Sequence, residues 1–385
     1  MKRMTLLSNT LRPDLLGGSI LNLISSIQQH FGLNPPDAPL RDPIPFQKKV
    51  VLFIADGLGQ QQILRHTQQQ DTTILQHFSE HRTLTSVFPS ATMAALTTLH
   101  MGAPPARTGW LSGCLWLPEL GSIVNLVHQR DEFTRQVVNV GFMRKTRSVY
   151  RQLQSVGVKS TVIFPAAFLG SFLSGWHHEG AHQEGFYFTP NTIPTLVSAA
   201  LQHSNYVVVY YPHFDDMCHR FNPESQEASD EMLGLDGILQ RTIRRLPDNT
   251  TFLLTADHGH KSIVQNVWLD QQPDLQPHLV RPVSGEKVAR YVHVKPGHAQ
   301  EVQDLLSQWA DVVPTTQLWE EGYFGGDPAE LSFLDRTGDL LAHARSGTEL
   351  NWNYHPDTHQ LKGWLGNHGG LTETEMRVPL GVLHT

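Results

Sequence analysis

Apolar runs of five or six residues recur along the chain, at Val50–Ile54, Thr83–Val87, Ser160–Phe164, Tyr206–Tyr211 and Thr251–Thr255, with helical periodicity between them. Short runs bounded by turn signals predict strands buried on both faces, and their alternation with helices predicts βαβ units. The expected fold class is therefore α/β, a three-layer α/β/α core with a mostly parallel central sheet. Ahead of the first run, Ile20–Phe31 is amphipathic and Asn34–Pro45 is proline-rich, which predicts a helix and a linker forming an N-terminal extension over residues 1–45. Past Thr255 the pattern changes at the polar, proline-containing stretch Gln272–Gly285. Ala289–Val294, His298–Ala310 and Val312–Leu318 then read as strand, helix and strand. This predicts a small inserted α+β cap over 270–345 within a catalytic core of 46–269 and 346–385, to which Gly363–Leu380 returns. No fixed-period repeat interrupts this organisation.

Composition narrows the function without deciding it. With 385 residues, 39% of them hydrophobic and 17% charged, the chain has the balance of a globular protein that buries a sizeable core. A formal charge of −7 and a pI near 6.3 give no general basic field, so polymeric nucleic acid is not an expected partner. Cys114 and Cys218 are the only cysteines, enough for one bridge at most, whereas the 22 histidines turn the search for metal ligands toward nitrogen and oxygen donors. Asn9, Arg12, Pro13 and Asp14 break the apolar stretch that a signal peptide would need after Met1-Lys2-Arg3. No run approaches the ~18 apolar residues of a membrane span. The expectation is a soluble, cytoplasmic protein.

Ligands of open α/β sheets bind beyond the carboxyl ends of the strands, so the polar residues after each apolar run carry the chemistry. Asp56 follows the first run directly, with Gly57 and Gly59 beside it; alone, it reads equally well as a helix cap. Asp215 and His219 are spaced to share one face of a starting helix. Asp257 and His258 sit together at a strand end, and His368 is set among the glycines of Gly366-Asn367-His368-Gly369. Thr92 lies past the Thr83–Val87 run, at the start of a small-residue helix whose free N–H groups and dipole suit a phosphate. The plain alternative is that Thr92 or Ser90 only caps that helix.

In this order the motifs resemble the alkaline phosphatase superfamily, specifically its type I phosphodiesterase/nucleotide pyrophosphatase branch. The residues carrying the resemblance are Asp56-Gly57, Thr92 with Gly102, Asp215 with His219, Asp257-His258-Gly259, and Gly366-Asn367-His368-Gly369. It covers roughly 50–260 and 363–380, and implies an alkaline phosphatase-like core. It also implies that Asp215, His219 and His368 hold one divalent metal while Asp56, Asp257 and His258 hold a second, with the Thr92 oxygen on it. Donor chemistry ranks zinc first and manganese second. His213, His260 and Cys218 fall outside the matched positions and are expected to be bystanders. The chain departs from the diesterase pattern at Gly113, where that pattern places a phosphate-binding Asn; Asn367, Arg107 and Lys145 are the candidates to replace it. No Cys-x-Pro-x-Arg or Ser-x-Pro-x-Arg element of sulfatases is present.

The resemblance implies hydrolysis of a small-molecule phosphate ester or nucleotide, a phosphodiesterase or nucleotide pyrophosphatase activity through a phosphothreonine on Thr92. A phosphomonoesterase or phosphonate hydrolase is the alternative on the same scaffold. A phosphomutase or a metal-stabilised protein without turnover ranks lower. Oligomeric state and physiological substrate stay open at this level.

Overall fold

The structure, a computed structural model, describes residue 7 and residues 10–68, 72–326, 333–355 and 363–385. Met1-Lys2-Arg3 and Asn9, which entered the signal-peptide expectation, lie outside the described residues.

The apolar runs form the central sheet. β1 (Lys49–Ala55), β2 (Glu80–Thr85), β6 (Ser160–Pro165), β7 (His182–Phe186), β8 (Tyr206–Tyr211), β9 (Thr250–Thr255) and β18 (Arg377–His384) make a seven-stranded sheet in the order β2-β18-β9-β1-β8-β6-β7. β1 pairs in parallel with both β8 and β9, and β6 with β7 and β8. β18 alone runs against its neighbours β2 and β9. The α/β fold with a mostly parallel sheet is the one the alternation predicts. Val50–Ala55 of β1 and Phe252–Leu254 of β9 are almost wholly buried. Each large apolar side chain so placed contributes roughly 1.5–3 kcal/mol of transfer free energy, which makes the strand ends a stiff platform.

Helices Ile20–His30, Thr92–Met101 and Val149–Ser155 pack on one another, and helices Ile193–Ala200, His213–Phe221 and Gln226–Ile243 form a second group. Ile20, Leu23, Ile24 and Ile27 of the first helix enter the same apolar cluster as β1.

Several elements were not legible in advance. β7 is a polar edge strand, His-Gln-Glu-Gly-Phe, without an apolar run. β18 carries Pro379 and Gly381, which argue against a strand; here the Pro379 carbonyl accepts from Thr255 Oγ1 at 2.8 Å, and a Cβ at Gly381 would come within 2.7 Å of the Phe78 ring. A small antiparallel sheet of β3 (Cys114–Leu117), β4 (Ser122–Asn125) and β5 (Arg130–Asp131) was also missed.

After β9 come β10 (Lys261–Ser262) and β11 (Gln265–Trp268), then β12 (Ser284–Glu286), β13 (Ala289–Val292), β14 (Ala310–Pro314) and β15 (Leu340–Ala344). The last four form an antiparallel sheet of order β12-β13-β15-β14, with helix Ala299–Leu306 preceding β14. Leu318, read as strand from sequence, lies in helix Thr315–Glu320. β16 (Thr348–Asn351) pairs in parallel with β11, and β17 (Gly366–Asn367) pairs with β10. Cys114 and Cys218 are both free. Among the described residues no helix is long and apolar enough to cross a membrane.

Behind helix Thr92–Met101 lies a buried histidine group. His100 Nδ1 and the Tyr150 hydroxyl are 2.7 Å apart, and the His100 ring lies 5.1 Å from that of His177 and 5.0 Å from that of His178. Burial lowers the pKa of all three, that of His100 to about 3. They are neutral when folded but protonate in the unfolded chain below about 6.5. The unfolded state then binds more protons, so stability is full above pH 6.5 and falls with pH, for His100 down to about 3. Urea midpoints of the metal-free protein should fall between pH 7.5 and 5, with each histidine adding up to about 1.4 kcal/mol per pH unit. His100→Gln should flatten that slope, and an unaltered slope would refute this account.

Candidate active site

The strand ends and the loop before β18 converge on one cluster. Asp56 follows β1, and its N–H extends the ladder to the Tyr211 carbonyl at 2.9 Å. Asp257 and His258 follow β9, and Asp215 and His219 lie on the helix after β8. His368 arrives from the segment beyond β17. Gly57 makes this close approach possible: its φ is +72°, and a Cβ there would fall 2.8 Å from the His260 ring and 3.1 Å from Asp215 Cα.

Each of the three expected histidine ligands uses the same nitrogen for support. His219 Nδ1–H donates to the Gly366 carbonyl (2.8 Å), His258 Nδ1–H to the Gly259 carbonyl (3.2 Å) and His368 Nδ1–H to the Ser90 carbonyl (3.2 Å). That tautomer leaves every Nε2 as a free electron-pair donor, the arrangement that backbone carbonyls impose on metal-ligating imidazoles. His219 Nε2 lies 3.2 Å from His368 Nε2 and 3.4 Å from Asp215 Oδ2. His258 Nε2 lies 3.4 Å from Asp56 Oδ1 and 3.3 Å from Asp257 Oδ2. The two sets touch where the His258 and His368 rings stack, centroids 3.5 Å apart.

The carboxylates are likewise held by one oxygen and open at the other. Asp257 Oδ1 accepts from the N–H groups of Gly57 (3.1 Å) and His258 (3.0 Å), and Asp56 Oδ2 accepts from the Tyr210 hydroxyl. Asp56 Oδ1 and Asp257 Oδ2 are buried without a hydrogen-bond partner among the described residues. Burial and mutual repulsion raise the Asp56 carboxyl well above its ordinary pKa, and burial also raises Asp257. For Asp215, burial acts upward but is outweighed by His219 and by the His260 hydrogen bond, so its carboxyl is held low. Burial lowers His219 to about 4 and places His368 well below its usual value. Unpaired buried carboxylate oxygens facing imidazole nitrogens fit divalent cations, whose charge offsets this repulsion.

Thr92 opens helix Thr92–Met101, but Ala91 is the residue that precedes it as the cap and no side chain caps this helix. The plain capping reading of Thr92 and Ser90 therefore fails. Thr92 Oγ1 sits 3.0 Å from His258 Nε2, and Ser90 Oγ donates to the Gly370 carbonyl at 2.6 Å. Thr92 is half-buried and open to a ligand, whereas Ser90 is buried.

One expected bystander stands inside the cluster. His260, read from sequence as a bystander, is fully buried and donates from Nε2 to Asp215 Oδ1 at 2.7 Å, within a group of four with Asp215, His219 and His368. Burial lowers its pKa, so the ring is a neutral donor that aims the carboxylate. Its place two residues after His258 was the available signal, but the packing against Asp215 decides which way it points. Removing such an outer hydrogen bond typically costs about 10–100-fold in metal affinity. Titration against a chromophoric chelator should show that loss for His260→Ala, while His213→Ala and Cys218→Ala stay near wild type. Equal affinities for all three would show that His260 supports nothing.

The three candidates to replace an Asn at Gly113 all have other contacts in this structure. The Asn367 amide donates to Glu349 Oε1 at 2.8 Å, Arg107 pairs with Asp37, and the Lys145 ammonium sits 4.8 Å from the Phe333 ring centre. What does reach Gly113 is Glu286, from the hairpin β12–β13: its Oε1 accepts from the Gly113 N–H and the Ser112 hydroxyl, both at 2.8 Å.

Acids and histidines gather at the carboxyl edge of a sheet whose fold is alkaline phosphatase-like, and the family that the sequence matches makes the protein a phosphoester hydrolase. The sequence model of the type I phosphodiesterase/nucleotide pyrophosphatase family matches residues 50–370, and the chain belongs to that family. Solved structures of similar fold include murine ectonucleotide pyrophosphatase/phosphodiesterase 5, with a TM-score of 0.65 at 17% identity over 88% of both chains. The human ectonucleotide pyrophosphatase/phosphodiesterase 5 gives 0.64 at 18% over 87% of both. Phosphonoacetate hydrolase from Sinorhizobium meliloti, in complex with phosphonoformate, gives 0.62 at 18% over 88% of this chain and 90% of that one. At these identities the likeness establishes the fold. No curated protein sequence matches the chain significantly.

Proposed function

We propose that this chain is a two-metal phosphodiesterase or nucleotide pyrophosphatase that works through a phosphothreonine intermediate on Thr92. The observation that carries the reading is the Thr92 hydroxyl 3.0 Å from His258 Nε2, in a cluster of buried, unpaired carboxylate oxygens and Nε2 donors. Asp215, His219 and His368 would hold one divalent ion, and Asp56, Asp257 and His258 the other, with Thr92 beside it. Mixed imidazole and carboxylate sets with open positions favour zinc over manganese. Bound there, two such ions would supply charge neutralisation for the phosphate and acidify the hydroxyl.

The chain's own groups account for the rest. Thr92 Oγ1 bonds to phosphorus as the bond to the leaving oxygen breaks; water then attacks phosphorus, the bond to Oγ1 breaks, and the hydroxyl is restored. The unpaired N–H groups at the start of helix Thr92–Met101 orient the anion. Murine ectonucleotide pyrophosphatase/phosphodiesterase 5 has been solved as an inactive threonine-to-alanine variant in complex with AMP, which supports a small nucleotide as substrate class here.

The test compares bis-p-nitrophenyl phosphate, p-nitrophenyl phosphate and phosphonoacetate, with and without chelator. Chelator-sensitive hydrolysis led by the diester supports the reading. Preferred turnover of phosphonoacetate would replace it with phosphonate hydrolysis, and full activity without metal would end it.

A further inference from the structure

The tip of the β12–β13 hairpin brings a carboxylate to the edge of the cluster. Glu286 lies between two glycines that flank the site. A Cβ at Gly369, the residue after His368, would fall 2.6 Å from both Cβ and Cγ of Glu286, and a Cβ at Gly113 would lie 3.8 Å from its Oε1 and 3.6 Å from Met93 Cγ. Met93 follows Thr92, so Gly113 stands between Glu286 and the segment of the proposed nucleophile, while Glu286 itself borders the His368 loop at Gly369. Any side chain at Gly369 would displace it.

Its charge is fixed in place and not neutralised. Oε1 is held by the Gly113 N–H and the Ser112 hydroxyl, while Oε2 has no hydrogen-bond partner among the described residues. No Lys, Arg or His among the described residues lies within ion-pair distance of Glu286. The neighbouring Lys287 pairs instead with Glu349 at 2.9 Å, and Arg290 donates to the carbonyls of Gly285 and Leu350. A half-buried, unpaired carboxylate beside a phosphoryl site acts on the charge of whatever binds there. A diester brings one negative charge at its phosphorus; a monoester dianion or a carboxylate-bearing phosphonate brings a second.

We infer that Glu286 is a specificity-determining residue that favours singly charged phosphodiesters over substrates carrying a second negative charge at the reacting group. The inference rests on the hydrolase reading above and deepens it by naming what selects among substrates on this scaffold. Like-charge repulsion at the border of such a site is worth on the order of tenfold in relative kcat/KM.

Glu286→Gln keeps the Oε1 acceptor for Gly113 and Ser112 and removes the charge; Glu286→Asp keeps the charge. In the metal-loaded protein, the ratio of kcat/KM for p-nitrophenyl phosphate to that for bis-p-nitrophenyl phosphate should rise about tenfold in Glu286→Gln, and inorganic phosphate should inhibit more tightly by a similar factor. Glu286→Asp should hold the ratio within about threefold of wild type. An unchanged ratio and an unchanged phosphate inhibition constant in Glu286→Gln would overturn the inference. If the metal-loaded wild type hydrolyses neither ester, the hydrolase reading fails by itself. Calorimetric titration of inorganic phosphate then still decides about Glu286: tighter binding to Glu286→Gln supports it, and equal binding overturns it.

Discussion

Thr92→Ala is expected to keep its fold and its bound metal while losing turnover of bis-p-nitrophenyl phosphate by on the order of 10³-fold or more. Thr92 is the first residue of its helix and supplies no cap, so its removal leaves the backbone N–H groups and the helix start intact. What disappears is the hydroxyl 3.0 Å from His258 Nε2, and with it the covalent step of the proposed mechanism. Residual hydrolysis would come from water attacking within the same electrostatic frame. Thr92→Ser should keep part of the activity, because the oxygen stays and only the methyl is lost. Mass spectrometry of a slow substrate trapped on the wild type should place the phosphate on the peptide residue Thr92. An adduct on Ser90, or a near wild-type rate for Thr92→Ala, would move the nucleophile elsewhere.

The second large effect is loss of metal from His368→Ala. His368 presents Nε2 to His219 at 3.2 Å and to Asp215 at 3.6 Å, and its ring stacks on His258, so its removal opens one set and loosens the other. Elemental analysis should fall from close to two equivalents per chain toward one, with hydrolysis abolished. Metal that binds only the folded chain also stabilises it, by about 2.7 kcal/mol at a free concentration one hundred times Kd. Chelation should therefore lower the melting temperature of the wild type by several degrees, and that of His368→Ala by less. Full metal content in His368→Ala would remove it from the ligand set.

Much of the candidate site was legible because its parts are local. Asp56 sits at the end of β1, Asp257 and His258 at the end of β9, and Asp215 with His219 on the helix after β8; each is a short motif against a run of apolar residues. A strand buried on both faces has no room for polar side chains, so the first polar residue after it marks the strand end and the ligand edge together. β18 and the sheet β3–β5 gave no such signal. Pro379 and Gly381 obscure the first, and the second is too short to show a period.

The sequence by itself determined the strand–helix order, the acids and histidines at the strand ends, and the threonine at a helix start, since these follow from periodicity and neighbours within a few residues. Tertiary structure alone decided which atoms face one another. It turned His260 onto Asp215 across 45 residues, left Thr92 free by making Ala91 the cap, and brought Glu286 to Gly113 across 173 residues. Those contacts depend on where backbone chains cross. Side-chain direction at a crossing is set by packing of distant elements, which no local pattern encodes.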